Sequence, residues 1–220
     1  MKKDKDFIIV LAWPEGLCNK AGSWYDNFFA KNGKYRVGHS ALALVNSKTS
    51  QIYYFDFGRY HTPKGFGRVR DMETDPELEI KQNAKIKGCE IENIDNILIE
   101  IYNNKSCRGE GTLYSSIISE VNFSKAFRVS KEWQDKGAVA YGPFVINGTN
   151  CSRFVAMIAR KSDPNFLKKL RLKFPFTISP SPKRNVGISN NNYYMIRDAK
   201  CVKIRRNTIK AYFTGIEIKR

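Results

Sequence analysis

Hydrophobic and polar positions alternate along this chain in short blocks, and the first block is the plainest. Residues 7–12 (FIIVLA) are an unbroken, β-branched-rich apolar run, which reads as a buried strand that Pro14-Glu15-Gly16 ends. A loop or short helix carrying Trp24, Tyr25, Phe28 and Phe29 is expected next, closed by an Asn32-Gly33 turn. Residues 37–45 (VGHSALALV) and 51–57 (QIYYFDF) are both strand-like, and the polar residues 46–50 between them make a hairpin. Residues 58–70, with Pro63, Gly65 and Gly67, read as a loop, and Asp75-Pro76-Glu77 as a helix start with acids at the favoured end of the dipole.

Residues 96–102 (NILIEIY) read as another strand. Residues 111–123 read as a helix, with Leu113, Ile117, Ile118 and Val121 at helical spacing. A short extended piece at 144–146 leads into an Asn147-Gly148 turn. Thr149-Asn150 then caps a helix over 151–160, whose apolar face holds Phe154, Val155, Ile158 and Ala159. Residues 164–174 form a basic amphipathic piece, and 179–192 (SPSPKRNVGISNNN) a flexible loop by composition. Strand-like alternation returns over 193–218, and no repeat of fixed period is present. The class these elements predict is α+β, an antiparallel sheet packed against helices.

Length and composition agree with a folded chain. The 220 residues are 42% hydrophobic and 13% aromatic, enough to bury a core and too apolar for disorder. A single domain over 1–220 is expected. The longest apolar run, residues 7–13, is far below the roughly 20 residues a membrane-spanning helix needs. No secretory signal is evident, so a cytoplasmic location is expected. Cysteines at 18, 89, 107, 151 and 201 are odd in number and make no C-x-x-C pair, which argues against a disulfide framework or a zinc knuckle.

Charge is unevenly distributed. The net charge is +17, and residues 151–220 hold 17 basic against three acidic residues, a net of +14. This asymmetry points to an anionic partner for the C-terminal third, an acidic substrate or scaffold, with nucleic acid or an acidic membrane surface as candidates. A solvated basic face that maintains solubility is the plainer reading.

Candidate chemistry narrows quickly, because the chain has two histidines. On the first hairpin strand His39, Ala41, Ala43 and Val45 share a face, and the alanines leave room beside the imidazole. Asp56 is the one carboxylate in either hairpin strand, within reach of His39 across the pair. Cys151 opens a helix, where unpaired amides and the dipole lower a thiol pKa and can bind an oxyanion. A cysteine activated by a histidine that a carboxylate orients is the logic of a nucleophilic triad. Each residue also has an ordinary reading, a packed strand histidine or a small core cysteine. His61 with Tyr60 is an alternative contributor, and Ser152 cannot face His39 together with its neighbour Cys151. Sparse histidines and scattered cysteines give no metal site, and the glycine pairs at 65/67 and 109/111 lack the continuation of a phosphate loop.

Gly38-His39-Ser40-Ala41-Leu42-Ala43-Leu44, Tyr54-Phe55-Asp56 and Asn150-Cys151-Ser152-Arg153-Phe154-Val155 together resemble the circularly permuted NlpC/P60 papain-like hydrolases, in particular the YiiX/YebB-like branch. The order His39, Asp56, Cys151 fits that permuted form, in which the cysteine comes last. The resemblance implies a permuted papain-like core over about 7–160, followed by a basic extension over about 161–220. It implies Cys151 as nucleophile, His39 as base and Asp56 as the orienting residue, where the branch commonly has Glu. Asn150, Ser152 and Tyr54 are the candidate substrate-binding residues, and no cofactor is implied. The expected activity is hydrolysis of a peptide or isopeptide amide. Two alternatives stand beside it: lipid acyl transfer or phospholipid hydrolysis at anionic membranes, and a non-catalytic polyanion-binding module on a degenerate hydrolase core.

Overall fold

The first apolar run becomes the centre of a sheet, and the rest of the chain is laid down around it. In the computed structural model, residues 6–19, 34–36, 38–207 and 216 are described. The early strands are β1 (Asp6–Trp13), β2 (Leu17–Asn19), β3 (Lys34–Arg36), β4 (His39–Val45), β5 (Ile52–Gly58) and β6 (Phe66–Arg70). After them come β7 (Ile86–Lys87), β8 (Glu90–Ile91), β9 (Leu113–Val121), β10 (Val139–Ala140), β11 (Tyr193–Arg197) and β12 (Lys200–Ile204). The α-helices are α1 (Ile94–Asn103), α2 (Phe123–Gln134), α3 (Cys151–Lys161), α4 (Phe166–Lys173) and α5 (Pro182–Ser189). Among the described residues, eight strands form one antiparallel sheet in the order β10-β6-β5-β4-β1-β9-β11-β12, and β2-β3 and β7-β8 are small separate ladders. The class is therefore α+β, as the pattern predicts.

Both faces of the sheet are covered, which explains why β1 is apolar without alternation. Ile8, Val10 and Ala12 face α2 to α5, packing with Leu42, Phe55, Phe154 and Ile158. Phe7, Ile9, Leu11 and Trp13 face the other way, toward α1, with Ala41, Ala43, Tyr54 and Ile97. The expected hairpin of residues 37–45 and 51–57 is present as β4 and β5, paired from Ala41 with Asp56 to Val45 with Ile52.

Two expectations exchange places. Residues 96–102, read as a strand, lie in α1, and residues 111–123, read as a helix, contain β9. The buried residues of α1 are Ile94, Ile97, Leu98 and Ile101, a 3.6-residue period that becomes legible only when Ile94 is included. Short apolar runs do not separate the two states by periodicity. In β9 the alternation is masked because Ser115 and Ser116 are buried too, Ser116 donating its hydroxyl to the Val186 carbonyl at 2.8 Å.

Two expected loops are also ordered elements. Residues 58–70 end in β6, which pairs with β5. Residues 179–192 contain α5, a helix in place of the flexible loop that its composition suggests, because most of its polar groups are buried with partners. Ser181 caps it with Pro182 at the first position, Asn185 donates to the Ser152 carbonyl at 2.8 Å, and Gly187 and Ser189 keep its buried face small. Asp75-Pro76-Glu77 opens only a three-residue 3-10 turn, Pro76–Leu78, that buries Leu78. The predicted segment around Trp24, Tyr25, Phe28, Phe29 and Asn32-Gly33, and the strand-like stretch at 208–215, lie outside the described residues.

Ile188 on α5 tests this arrangement. It is buried in the core between α5 and the sheet, so Ile188→Ala should cost about 2–5 kcal/mol, read as a lower urea midpoint at unchanged slope. A change within about 0.5 kcal/mol would be that of a surface loop and would contradict a packed helix here.

Candidate active site

His39 is the first residue of β4 and is paired with Trp13, the last residue of β1. The indole stacks on the imidazole with ring centroids 5.8 Å apart and planes 22° from parallel, which fixes the ring orientation. Gly38 makes this approach possible. Its φ is +65°, and a Cβ there would lie 2.4 Å from the Trp13 carbonyl oxygen, so a side chain is excluded on both counts.

Asp56 on β5 is completely buried, and the whole local structure converges on its carboxylate. His39 Nε2 lies 3.1 Å from Oδ2. The Tyr54 and Tyr60 hydroxyls donate to the same oxygen at 3.2 and 3.0 Å, and Tyr60 also lies 3.3 Å from His39 Nε2. Arg70, directly opposite Asp56 in the β5-β6 register, grips both oxygens, with Nε at 3.0 Å from Oδ1 and Nη2 at 2.7 Å from Oδ2. Its guanidinium stacks 3.5 Å from the Tyr60 ring centroid, and Nη2 also donates to the Ser106 carbonyl. Burial alone would raise the Asp56 pKa, but the hydrogen bonds and charges of His39 and Arg70 outweigh it and hold the carboxyl below its usual range. Burial and the Asp56 charge push both tyrosines well above the ordinary phenol value, so they remain neutral donors.

Cys151 is the first residue of α3, with Asn150 as N-cap; the Asn150 side chain accepts the Arg153 N–H at 2.8 Å. The Cys151 thiol and the His39 imidazole act on each other, each favouring the other's charged form. Because Asp56 occupies Nε2, Nδ1 is left for the sulfur. The Ser40 backbone amide also favours the thiolate, and the Ser152 hydroxyl lies 3.9 Å from Sγ. Burial opposes the thiolate, yet His39 and these donors bring the Cys151 pKa below its ordinary value. Burial likewise opposes the imidazolium, and the Asp56 and Cys151 hydrogen bonds still raise His39 to about 9. Cys107 shows what burial does without an imidazole: desolvation and the Asp56 charge push it up to about 12.

The three residues expected to form a triad thus lie together, His39 between Asp56 and Cys151. The expected substrate-binding residues each have a structural partner. Tyr54 is buried behind Asp56, the Asn150 side chain is committed to the cap, and Ser152 is buried with its carbonyl bonded to Asn185. Tyr60 joins the site, while His61 is exposed and takes no part in the bonds around Asp56. Trp13 and Arg70 are not singled out by the sequence, whereas Tyr60 enters there only beside His61. The signal for Arg70 was FGRVR, a two-residue alternation placing Arg68 and Arg70 on one face, hidden because the stretch reads as a loop. Among the described residues, no group of three or more His, Cys, Asp or Glu is gathered that could hold a metal ion.

Two measurements follow from this geometry. Peptide-resolved alkylation by iodoacetamide should show Cys151 reacting well below pH 8.5, the free-thiol value, and His39→Ala should move it to that value or above; equal profiles in both proteins would break the pair. Arg70→Met would leave the Asp56 charge buried without its counter-ion and should cost about 3–5 kcal/mol by urea unfolding, with Arg70→Lys losing less. A cost under about 1 kcal/mol would mean that Arg70 is not what compensates Asp56.

Comparison with known proteins places this arrangement. No curated protein sequence matches the chain. A solved structure, the crystal structure of the type VI secretion system effector TseH, superposes with a TM-score of 0.59 at 20% identity, covering 91% of this chain and 98% of the other. That likeness establishes a shared fold, consistent with a papain-like core. Among the described residues no helix is long and apolar enough to cross a membrane. The sequence profile of the TseH-like type VI secretion system effectors matches residues 8–166, a span that contains His39, Asp56 and Cys151, and the chain belongs to that family.

Proposed function

We propose that this effector is a cysteine hydrolase that cleaves an amide bond, peptide or isopeptide, with Cys151 as nucleophile. The observation that carries the reading is the His39 imidazole held between the buried Asp56 carboxylate and the Cys151 thiol. The chain order His39, Asp56, Cys151 is that of the permuted NlpC/P60-like hydrolases, and the YiiX/YebB-like branch is the one its motifs resemble.

In this mechanism the pair begins as thiolate and imidazolium. The Cys151 sulfur attacks the carbonyl carbon, and negative charge develops on the carbonyl oxygen. The Cys151 N–H, at the positive end of α3, is the donor in place for that oxygen. As the C–N bond breaks, the His39 imidazolium gives its proton to the leaving amine, and the acyl group remains as a thioester. The neutral imidazole then takes a proton from water, hydroxide attacks the thioester, and the acid leaves with the thiolate restored. Asp56 keeps the ring oriented and its charged form favoured, and Trp13 keeps it from rotating. The protein is made in the cytoplasm and acts where the secretion system delivers it.

The test is product analysis on amide, isopeptide and ester substrates with the parent, Cys151→Ala and Asp56→Asn. Cys151→Ala should abolish turnover, and Asp56→Asn should lower kcat about 10²–10⁴-fold with little change in KM. Because His39 is raised to about 9, its imidazolium persists below that pH, so kcat/KM should fall as pH rises past it. Hydrolysis that survives Cys151→Ala would sink the proposal.

A further inference from the structure

The segment joining α3 to α5 presents a surface that the proposed chemistry does not use. Helix α4 buries Leu172. Its outward side and the residues after it carry Phe166, Leu167, Leu170, Phe174, Phe176 and Ile178, between 42% and 93% exposed. Residues 166, 167, 170 and 174 fall on one helical face. An ordinary surface helix turns its polar face outward, whereas this one turns phenylalanine and leucine to solvent. Single exposed apolar residues need no account, but a contiguous run of this size marks a docking surface.

The charge around that face has one sign. Lys168, Lys169, Arg171 and Lys173 are interleaved with the apolar residues, and the chain has no acidic residue from 164 to 197. On one side of α4 a groove of about 1000 Å³ runs between Phe174, Phe176 and Ile178 and the cations Lys136, Arg153 and Arg160. On the other side a depression of about 600 Å³ is lined by Lys125, Arg128, Lys161 and Lys169. Its acids are already paired, Asp163 with Lys125 and Lys169, and Glu132 with Arg128. The rim is therefore net positive.

We infer that this face docks the protein on an anionic lipid bilayer. Phenylalanine and leucine on one face, flanked by lysine and arginine, suit the boundary between headgroups and acyl chains, with the cations on lipid phosphates. A nucleic acid fits less well. It needs aromatic plates for stacking along a basic groove, whereas Leu167, Leu170 and Ile178 offer a base nothing. A second copy meeting the same face would set these lysines and arginines against themselves. Thr149 and Arg153, on either side of Cys151 in sequence, line the same groove as Phe176 and Ile178. Docking therefore brings the nucleophile end of α3 close to the bilayer and, if the hydrolase reading holds, selects substrates displayed at a membrane surface.

The experiment is vesicle sedimentation of the full chain with phosphatidylcholine alone and with added phosphatidylglycerol, over a range of salt. The parent should bind the anionic vesicles, more weakly as salt rises. The double variant Leu167→Ser/Ile178→Ser should bind at least about tenfold more weakly, at an unchanged melting temperature because both side chains are exposed. Cys151→Ala should bind like the parent, which separates docking from hydrolysis: lost turnover with intact binding leaves this inference standing. No binding at low salt, or equal binding by the double variant, would overturn it. A single-stranded oligonucleotide bound in preference to vesicles, with that binding lost on the same substitutions, would overturn it as well.

Discussion

A carboxylate with no solvent exposure is tolerated inside a sheet only when its charge is compensated and its lone pairs are met. Asp56 satisfies this condition in one way, and much of the surrounding structure follows from it. Strand β6 has to pair with β5 in the register that sets Arg70 opposite Asp56. The chain between them has to bring Tyr60 back over the carboxylate, where its ring also supports the guanidinium. Arg68 on the same strand is gripped by Asp75 through two bonds of 2.7 and 2.8 Å, which ties the end of β6 to the next turn. With these donors in place, Oδ2 orients His39 without itself needing a proton.

The electrostatics of the thiol depend on that carboxylate one step removed. Two buried cysteines lie near Asp56, and they differ in direction. Cys107 meets the negative charge and low dielectric directly, and its thiol is held protonated. Cys151 meets them through an imidazole, and its thiol ionises more readily. The sign of the effect is set by whether an imidazolium stands between sulfur and carboxylate. This is how a thiol buried at the start of an apolar helix gains thiolate character that a core thiol such as Cys107 lacks.

The basic C-terminal third divides into cations that hold the fold and cations that face outward. Arg206 donates to the carbonyls of Gly187, Asn190 and Asn191, and Arg184 to that of Pro175, so these charges close off the buried α5 segment. Lys169 and Lys173 lie on the surface beside exposed phenylalanines. Net charge alone cannot distinguish the two groups, which is why the asymmetry suggests an anionic partner without locating the surface that meets it.

How much was legible depended on how local the cause was. The apolar run of β1, the β4-β5 hairpin and the capped start of α3 were readable because pattern, turn and cap lie within a few residues. The candidates His39, Asp56 and Cys151 were readable because hairpin alternation and a helix start place them without reference to the rest of the chain. The exchange of strand and helix at 96–102 and 111–123 was not readable, since both stretches are short and a buried serine in β9 looks like a helix's polar face. Nor was α5, whose Asn185 side chain and Val186 carbonyl are bonded by α3 and β9, elements far away in sequence. Arg70 and Trp13 belong to the same class: each matters through a partner set by strand register. Local physics in the sequence determined which residues could do chemistry, and only the tertiary structure decided which charges and rings would surround them, because burial and cross-strand pairing are properties of the assembled sheet.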